Sequence, residues 1–310
     1  MTTPDRDPDP DLHRDSHPDT DPELHDVDGR AEITVRRRYP HPIERVWRAV
    51  TEAEHLATWF PGAPEFDLRA GGTVRFAEFA GDPAELGEVL AVDPPRHLRF
   101  TWDTDVVTLD LAEVEEGTEL VLTNRLADRP AAASVATGWE ACLELLLAVI
   151  EGETPQEPGP RSARHEELAR RFALGRPEIE ETADGWSARF ERQLVCDPAT
   201  AWELFLGGAA EPEVTHAVPR VGEELRAPQA PEVVLGTVTE VEAGRVLAFD
   251  TGAGEPGDHV RFELVEGTGH GARMVLTVRG ADPAERDAAL EQWGLGAVEA
   301  IAEAALAHVV

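Results

Sequence analysis

Apolar and polar residues alternate from Ile33 to Tyr39, which predicts a strand running into Pro40 and Pro42. The spacing then changes. Ile43, Val46, Trp47 and Val50 fall on one face of a helix ending near Thr51, with Pro42 suited to its first turn. Glu52 to Phe60 predicts a second short helix, stopped by Pro61-Gly62. Strand patterns follow near 65–70, 73–79, 86–92, 97–102, 106–114 and 119–126, with turns at Gly71-Gly72, Asp93-Pro94-Pro95 and Glu116-Gly117-Thr118. Pro130 to Gly152 predicts a long helix that places Trp139, Leu143, Leu146, Leu147 and Ile150 on one face.

The chain then repeats itself. Gly87, Val89, Val92, Arg96, Leu98 and Phe100 recur at the same offsets as Gly236, Val238, Val241, Arg245, Leu247 and Phe249. Alternating runs follow each set, and a helix carrying Trp closes each half (Trp139, Trp293). A repeat of this length is a whole domain rather than a solenoid unit. The second half predicts a strand from Trp186 to Cys196 and a helix through Trp202 and Phe205 with Asp197 as N-cap. Strands follow near 223–226, 232–241, 245–250, 259–265 and 272–279, then a helix from Pro283 onward. The expected organisation is an acidic disordered tail over 1–30, a first domain over 31–152, a linker over 153–183 in which Arg161 to Leu174 can form a short polar helix ended by Gly175, and a second domain over 184–310. Strands in hairpins, alternating as in Leu98-Arg99-Phe100-Thr101-Trp102, with helices on one face, predict the α+β class.

The run His41-Pro-Ile-Glu-Arg-Val-Trp-Arg-Ala-Val-Thr51, with Glu54-His-Leu56, Trp59-Phe60 and later Gly138-Trp139-Glu140, resembles a known family. It is similar to the homologues of the heat-shock-protein-90 ATPase activator, within the START-like, Bet v 1-like helix-grip superfamily (SRPBCC). The resemblance covers nearly all of the first domain. It implies two tandem helix-grip domains, each a curved antiparallel sheet wrapped on a long C-terminal helix. The second copy departs from the pattern. Trp202 stands where Trp47 does with one residue fewer before it, Gly207-Gly-Ala-Ala-Glu-Pro212 replaces the second helix, and the last helix carries Gly294, Gly296, Ala297, Ala300 and Ala304. Such small residues mean either close packing or a roomier cavity.

Composition narrows the partners. A net charge of -33, with every cation an Arg, argues against nucleic acid, whose phosphates are bound by cations. No run of apolar residues approaches 18, so no membrane insertion is expected. Two cysteines, Cys142 and Cys196, do not make a disulfide framework, and a cytoplasmic setting is the default expectation. Nine Asp against three Arg within residues 1–30 leave that segment too polar to order itself. Its His13, His17 and His25 read as a solvated tail rather than a metal site.

No cofactor is expected and no catalytic residue is named. Leu247-Ala-Phe-Asp250-Thr251-Gly252 looks like an aspartic-protease signature, but Thr101 stands opposite Asp250 in the repeat, so a hairpin turn is the expected role. Gly252-Ala-Gly254 and Gly267-Thr-Gly269-His-Gly271 lack the strand–loop–helix context of a phosphate loop and read as turns. Aromatics carry the stronger signal. Trp59, Phe60, Phe76, Trp102 and Trp139, with Leu143, are the candidate lining of an apolar pocket beneath the first long helix. Arg75 and Arg99 are expected to face water. The leading reading is a non-catalytic protein that binds a hydrophobic small molecule. One alternative is an enzyme on the same fold, such as a polyketide cyclase or aromatase. The other is a chaperone-activator-like interaction module with a protein partner.

Overall fold

The computed structural model describes residues 21–78, 85–156, 158–207, 217–227, 230–265 and 271–309. The chain divides into two compact units, Met1–Arg125 with Cys142–Pro155, and Leu126–Ala141 with Gln156–Val310.

The first unit is built on an eight-stranded sheet of order β1-β2-β8-β7-β6-β5-β4-β3. Its strands are β1 (Glu23–Val27), β2 (Arg30–Tyr39), β3 (Glu65–Phe66), β4 (Thr73–Phe76), β5 (Glu85–Asp93), β6 (His97–Trp102), β7 (Asp105–Val114) and β8 (Gly117–Leu126). The period-two pattern decides which face is dry. Leu98 and Phe100, Val107, Leu109 and Leu111, and Leu120 and Leu122 are buried, while the residues between them point to the other side. Helices α1 (Ile43–Thr51) and α2 (Ala53–Trp59) connect β2 to β3. Pro42 precedes α1 with a fixed φ of -58°, and α1 buries Ile43, Val46, Trp47, Ala49 and Val50. An extended Glu52 ends it and starts α2. The long helix α3 (Ala132–Glu151) follows β8, and Gly152, with φ at +78°, ends it.

Helix α3 qualifies the expectation about membrane insertion. Residues Arg129–Glu151 are long and apolar enough to cross a bilayer by length and composition. Glu140 and Glu144 interrupt this stretch, so it does not stand out as an unbroken apolar run. Half of its most apolar window is buried within the protein. Leu143, Leu146 and Ile150 lie in the core, and the Leu143 carbonyl accepts a 3.2 Å hydrogen bond from the Tyr39 hydroxyl. These are the marks of a core helix.

The second unit has a seven-stranded sheet of order β11-β12-β13-β14-β15-β10-β9. Its elements are α4 (Ser162–Arg171), β9 (Glu178–Thr182), β10 (Gly185–Gln193), α5 (Pro198–Gly207), β11 (Glu224–Ala227), β12 (Ala230–Glu242), β13 (Val246–Thr251), β14 (His259–Val265) and β15 (Arg273–Gly280). The closing helix runs through α6 (Arg286–Ala289), a π-helical stretch Leu290–Val298 and α7 (Glu299–Val309). Asp197 caps α5 as expected, its Oδ1 accepting from the amides of Ala199 (2.9 Å) and Thr200 (3.0 Å). The protein is therefore α+β, two antiparallel sheets each followed by a long helix, in the helix-grip arrangement.

The repeated residues occupy matching places in the two sheets. Val89 pairs with Phe100 and Val92 with Leu98; Val238 pairs with Phe249 and Val241 with Leu247. A register shift follows Val89 in one sheet and Val238 in the other. Gly87 and Gly236 are required there. A Cβ would lie 2.1 Å from the Thr101 carbonyl oxygen in the first case and 2.0 Å from that of Asp250 in the second. The Arg96 carbonyl accepts from the Leu111 amide, and the Arg245 carbonyl from the Leu264 amide, each at 2.8 Å.

Two polar segments are more ordered than their composition suggests. The tail expected over 1–30 gives up Glu23–Val27 to β1, which pairs antiparallel with β2 across Asp28-Gly29, both at positive φ. The expected linker holds α4 where Arg161 to Leu174 predicts a short polar helix, and it also contributes β9, which was not expected and pairs with β10. Both strands are held by backbone hydrogen bonds and bury little apolar surface, so hydropathy does not reveal them. The expectations for His13, His17, the 207–212 replacement beyond Gly207, and the 267–270 glycines lie outside the described residues.

Candidate functional site

The inner face of the first sheet gathers four of the six expected pocket residues into one aromatic cluster. Trp59 ends α2, where its Nε1 donates to the Ala49 carbonyl at 2.9 Å and fixes the ring. Phe60, the extended residue that follows, meets Trp59 edge-to-face at 5.2 Å between centroids. It also meets Trp102 at 5.5 Å. Phe76 on β4 stacks on Trp102 at 5.4 Å with an interplanar angle of 13°. Leu143 belongs to the same unit and is buried, its carbonyl held by Tyr39. Trp139 is buried as well, but it lies in the segment Leu126–Ala141 that groups with the second unit.

Two aromatics overlooked in the sequence, Phe66 and Phe100, complete the cluster. Phe100 meets Phe60, Phe66 and Phe76 at 6.0, 5.0 and 6.4 Å. For Phe100 the signal was present, because it is two residues from Trp102 on one strand and so shares its face. Trp59, Phe60, Phe76 and Phe100 are buried, whereas Trp102 is partly exposed. The cluster is thus closed at Phe100 and reaches solvent at Trp102 and at Phe66.

A polar pair stands beside that exposed ring. Asp105 lies opposite Trp102 across β6 and β7, and Asn124 lies opposite Val107 across β7 and β8, so both share the inner face. Asn124 Nδ2 donates to Asp105 Oδ2 at 3.0 Å, and Asn124 is 2% exposed. It breaks the apolar series Leu120, Leu122, Leu126 at the end next to Trp102. Apolar rings with a carboxylate and an amide at one end can seat a flat apolar molecule and orient one polar group. Deeper in, burial pushes the Tyr39 phenol well above its ordinary range, so it serves as a neutral donor to Leu143.

The remaining expectations resolve simply. Arg75 and Arg99 are exposed. Asp250 was expected in a hairpin turn but lies within β13, paired with Thr237 and His259, and its carboxylate is 2.9 Å from the His259 ring; the turn begins after Thr251. Cys142 and Cys196 are buried free thiols, and burial, with Asp197 adding to it, pushes Cys196 up to about 12. Among the described residues no three His, Cys, Asp or Glu are placed to hold a metal ion. In the second unit Gly294 packs against the Phe190 ring, where a Cβ would lie 2.0 Å from Cζ, so this small residue serves close packing.

The family model described as activator of Hsp90 ATPase homolog 1-like protein matches residues 40–151. No curated protein matches the chain. Among solved structures, CalU16 from Micromonospora echinospora is similar at 28% identity and a TM-score of 0.40, covering 50% of this chain and 96% of its own. The conserved protein of unknown function EF2215 from Enterococcus faecalis is similar at 23% identity and a TM-score of 0.43, covering 49% and 90%. Protein MLL2253 from Mesorhizobium loti is similar at 27% identity and a TM-score of 0.36, covering 39% and 97%.

Proposed function

We propose that the first unit, whose residues 40–151 match the activator of Hsp90 ATPase homolog 1-like family model, is a non-catalytic binding module. Its ligand is a flat hydrophobic small molecule carrying one polar group. It stacks at the partly exposed Trp102, with Phe60 and Phe76 packed behind that ring, Trp59 and Leu143 deeper in the same core, and its polar group toward Asp105, which Asn124 holds. The second unit is a tandem copy of the same fold, a reading supported by the shared strand order and the repeated register shifts. Two unpaired cysteines favour a reducing compartment, and we place the protein in the cytoplasm.

The observation that carries the binding reading is the Phe76–Trp102 stack at a partly exposed edge of an aromatic cluster whose Trp59, Phe60, Phe76 and Phe100 are buried. A ligand ring entering there would extend an existing stack, and such aromatic pairs contribute about 0.5–1.5 kcal/mol each beyond area burial.

The test uses the full chain and the apolar dye 1-N-phenylnaphthylamine, read by fluorescence, alongside native mass spectrometry before and after organic extraction. Saturable dye binding is expected, weakened up to about tenfold in Trp102→Ala. A copurified adduct of small-molecule mass that competes with the dye would identify the natural ligand class. Failure of the dye to saturate, or equal affinity in Trp102→Ala, would overturn the proposal.

A further inference from the structure

The opposite face of the first sheet holds a second polar feature that the aromatic site does not use. A depression of about 280 Å³ is lined by Glu32, His97, Arg99, Thr108, Thr123 and Arg125, with Val106 at its floor. This is slightly below the ~300 Å³ at which drug-sized sites begin, so its occupant is small.

Strand register sets the geometry. Arg99 on β6 pairs with Thr108 on β7, Thr108 with Thr123 on β8, and Val106 with Arg125. Arg99 therefore faces Thr123 across β7, and Arg125 stands two residues farther along β8, which puts the two arginine backbones about 12 Å apart on either side of β7. Thr108 lies between them. Both arginine side chains line the depression, so an oxyanion above the Thr108 hydroxyl would meet the Arg99 guanidinium from β6 and the Arg125 side chain from β8.

The state of the two arginines also points to a ligand. Arg125 is oriented by its own unit, since its terminal nitrogen donates to the Val27 carbonyl (2.8 Å) and to Asp28 Oδ2 (2.9 Å). Its Nε is nevertheless buried without a hydrogen-bond partner. That N–H is closed off from solvent, so an occupant of the depression would meet the outer part of the guanidinium and not Nε. Arg99 has no ion-pair partner among the described residues, in a protein with 61 acidic residues and 28 arginines. His97 is held 2.7 Å from Asp110 at the rim. The corresponding face of the second sheet is arranged differently. Ala248 takes the register position of Arg99, and Arg261 is paired with Glu240 and Glu263.

We propose that this depression is a binding site for a small oxyanion, a phosphate or carboxylate group clasped between Arg99 and Arg125 over Thr108. The strongly negative net charge repels anions at a distance. Binding therefore rests on the local charge-assisted hydrogen bonds, and its ligand is distinct from the apolar one on the inner face.

Isothermal titration of the full chain in low-salt Tris chloride, with inorganic phosphate and separately with acetate, tests this. One saturable site is expected. Arg99→Gln should weaken it about tenfold or more, as befits loss of hydrogen bonds to a charged group. Thr108→Val should weaken it less. Arg69→Gln, which alters an exposed arginine paired with Asp67, should leave it unchanged. Circular dichroism checks that each variant is folded. Saturation by phosphate alone assigns a phosphate group, by acetate alone a carboxylate, and by both a general oxyanion site. Absence of saturable heat with either probe, or Arg99→Gln binding like the parent, would overturn the proposal.

Discussion

At the residue scale the energetically most exposed choice is a buried ion pair in the second unit. Arg192 follows Trp186, Ala188 and Phe190 on β10, and its guanidinium meets Glu166 of α4 at 2.6 Å with both side chains essentially without solvent. A second guanidinium nitrogen donates to the Leu174 carbonyl at 3.2 Å. His165 Nδ1 lies 3.3 Å from the other Glu166 oxygen, without the geometry of a hydrogen bond. Burial alone would raise the Glu166 carboxyl, but His165 and Arg192 outweigh it and hold it below the usual glutamate range. A carboxyl lowered in the folded state adds stability above its unfolded value and loses it as pH falls through the folded one. Stability should therefore drop on acidification below about pH 4.5, and the drop should be shallower in Glu166→Gln, as urea unfolding at about pH 7 and about pH 4 will show. Arg192→Met at neutral pH leaves a buried carboxylate unpaired and should cost about 3–5 kcal/mol, whereas Arg192→Met with Glu166→Leu should recover most of it. Hydropathy alone does not predict this pair, since Glu166 and Arg192 read as surface residues until α4 meets β10.

At the element scale the closing helix of the second unit shows how one missing side chain sets a packing distance. Gly294 lies in the π-helical stretch, and Phe190, 1% exposed, fills the space a Cβ would need. Trp293 beside it donates its Nε1 to the Pro256 carbonyl at 2.9 Å and meets Phe249 edge-to-face at 5.5 Å. Two effects oppose one another in Gly294→Ala. Helix propensity favours Ala by about 1 kcal/mol. Overpacking against a locked ring costs about 1–3 kcal/mol, and the ring has no solvent-exposed side to yield toward, so the steric cost should prevail. Net destabilisation on urea unfolding is expected, and a stabilised variant would show that Phe190 can move aside. The same scale explains what the sequence reveals of the strands. Central strands such as β7 and β8 were legible from alternation because one face is dry. The edge strands β1 and β9 were not, because an edge strand needs a partner's backbone more than an apolar face. The Asp28-Gly29 pair was the one overlooked signal.

For the whole molecule the dominant quantity is charge. A net charge of -33 sets carboxylate against carboxylate over the whole chain. The exposed ion pairs, such as Arg96–Glu113 and Arg38–Glu119, offset little of this, since surface pairs contribute about 0–1 kcal/mol. Screening should therefore stabilise the fold. Raising sodium chloride from about 0.05 M to about 0.5 M shortens the Debye length below about 10 Å. A gain of about 1 kcal/mol would lift the melting midpoint by about 2–4 °C in scanning calorimetry. A midpoint that falls with salt would mean that attractive pairs outweigh the repulsion. The sequence by itself determined the order of the central strands and the helices, the inward face of each central element and the repeated glycines, because these follow from local periodicity and from backbone clearance. Tertiary structure decided the Phe66–Phe100 contact, the Asp105–Asn124 pair beside Trp102, the burial of Glu166 with Arg192, and the meeting of Arg99 and Arg125 in the lining of one depression. Each of those depends on strand register or helix docking between residues far apart in the chain, and local pattern carries no information about which distant side chain will arrive opposite.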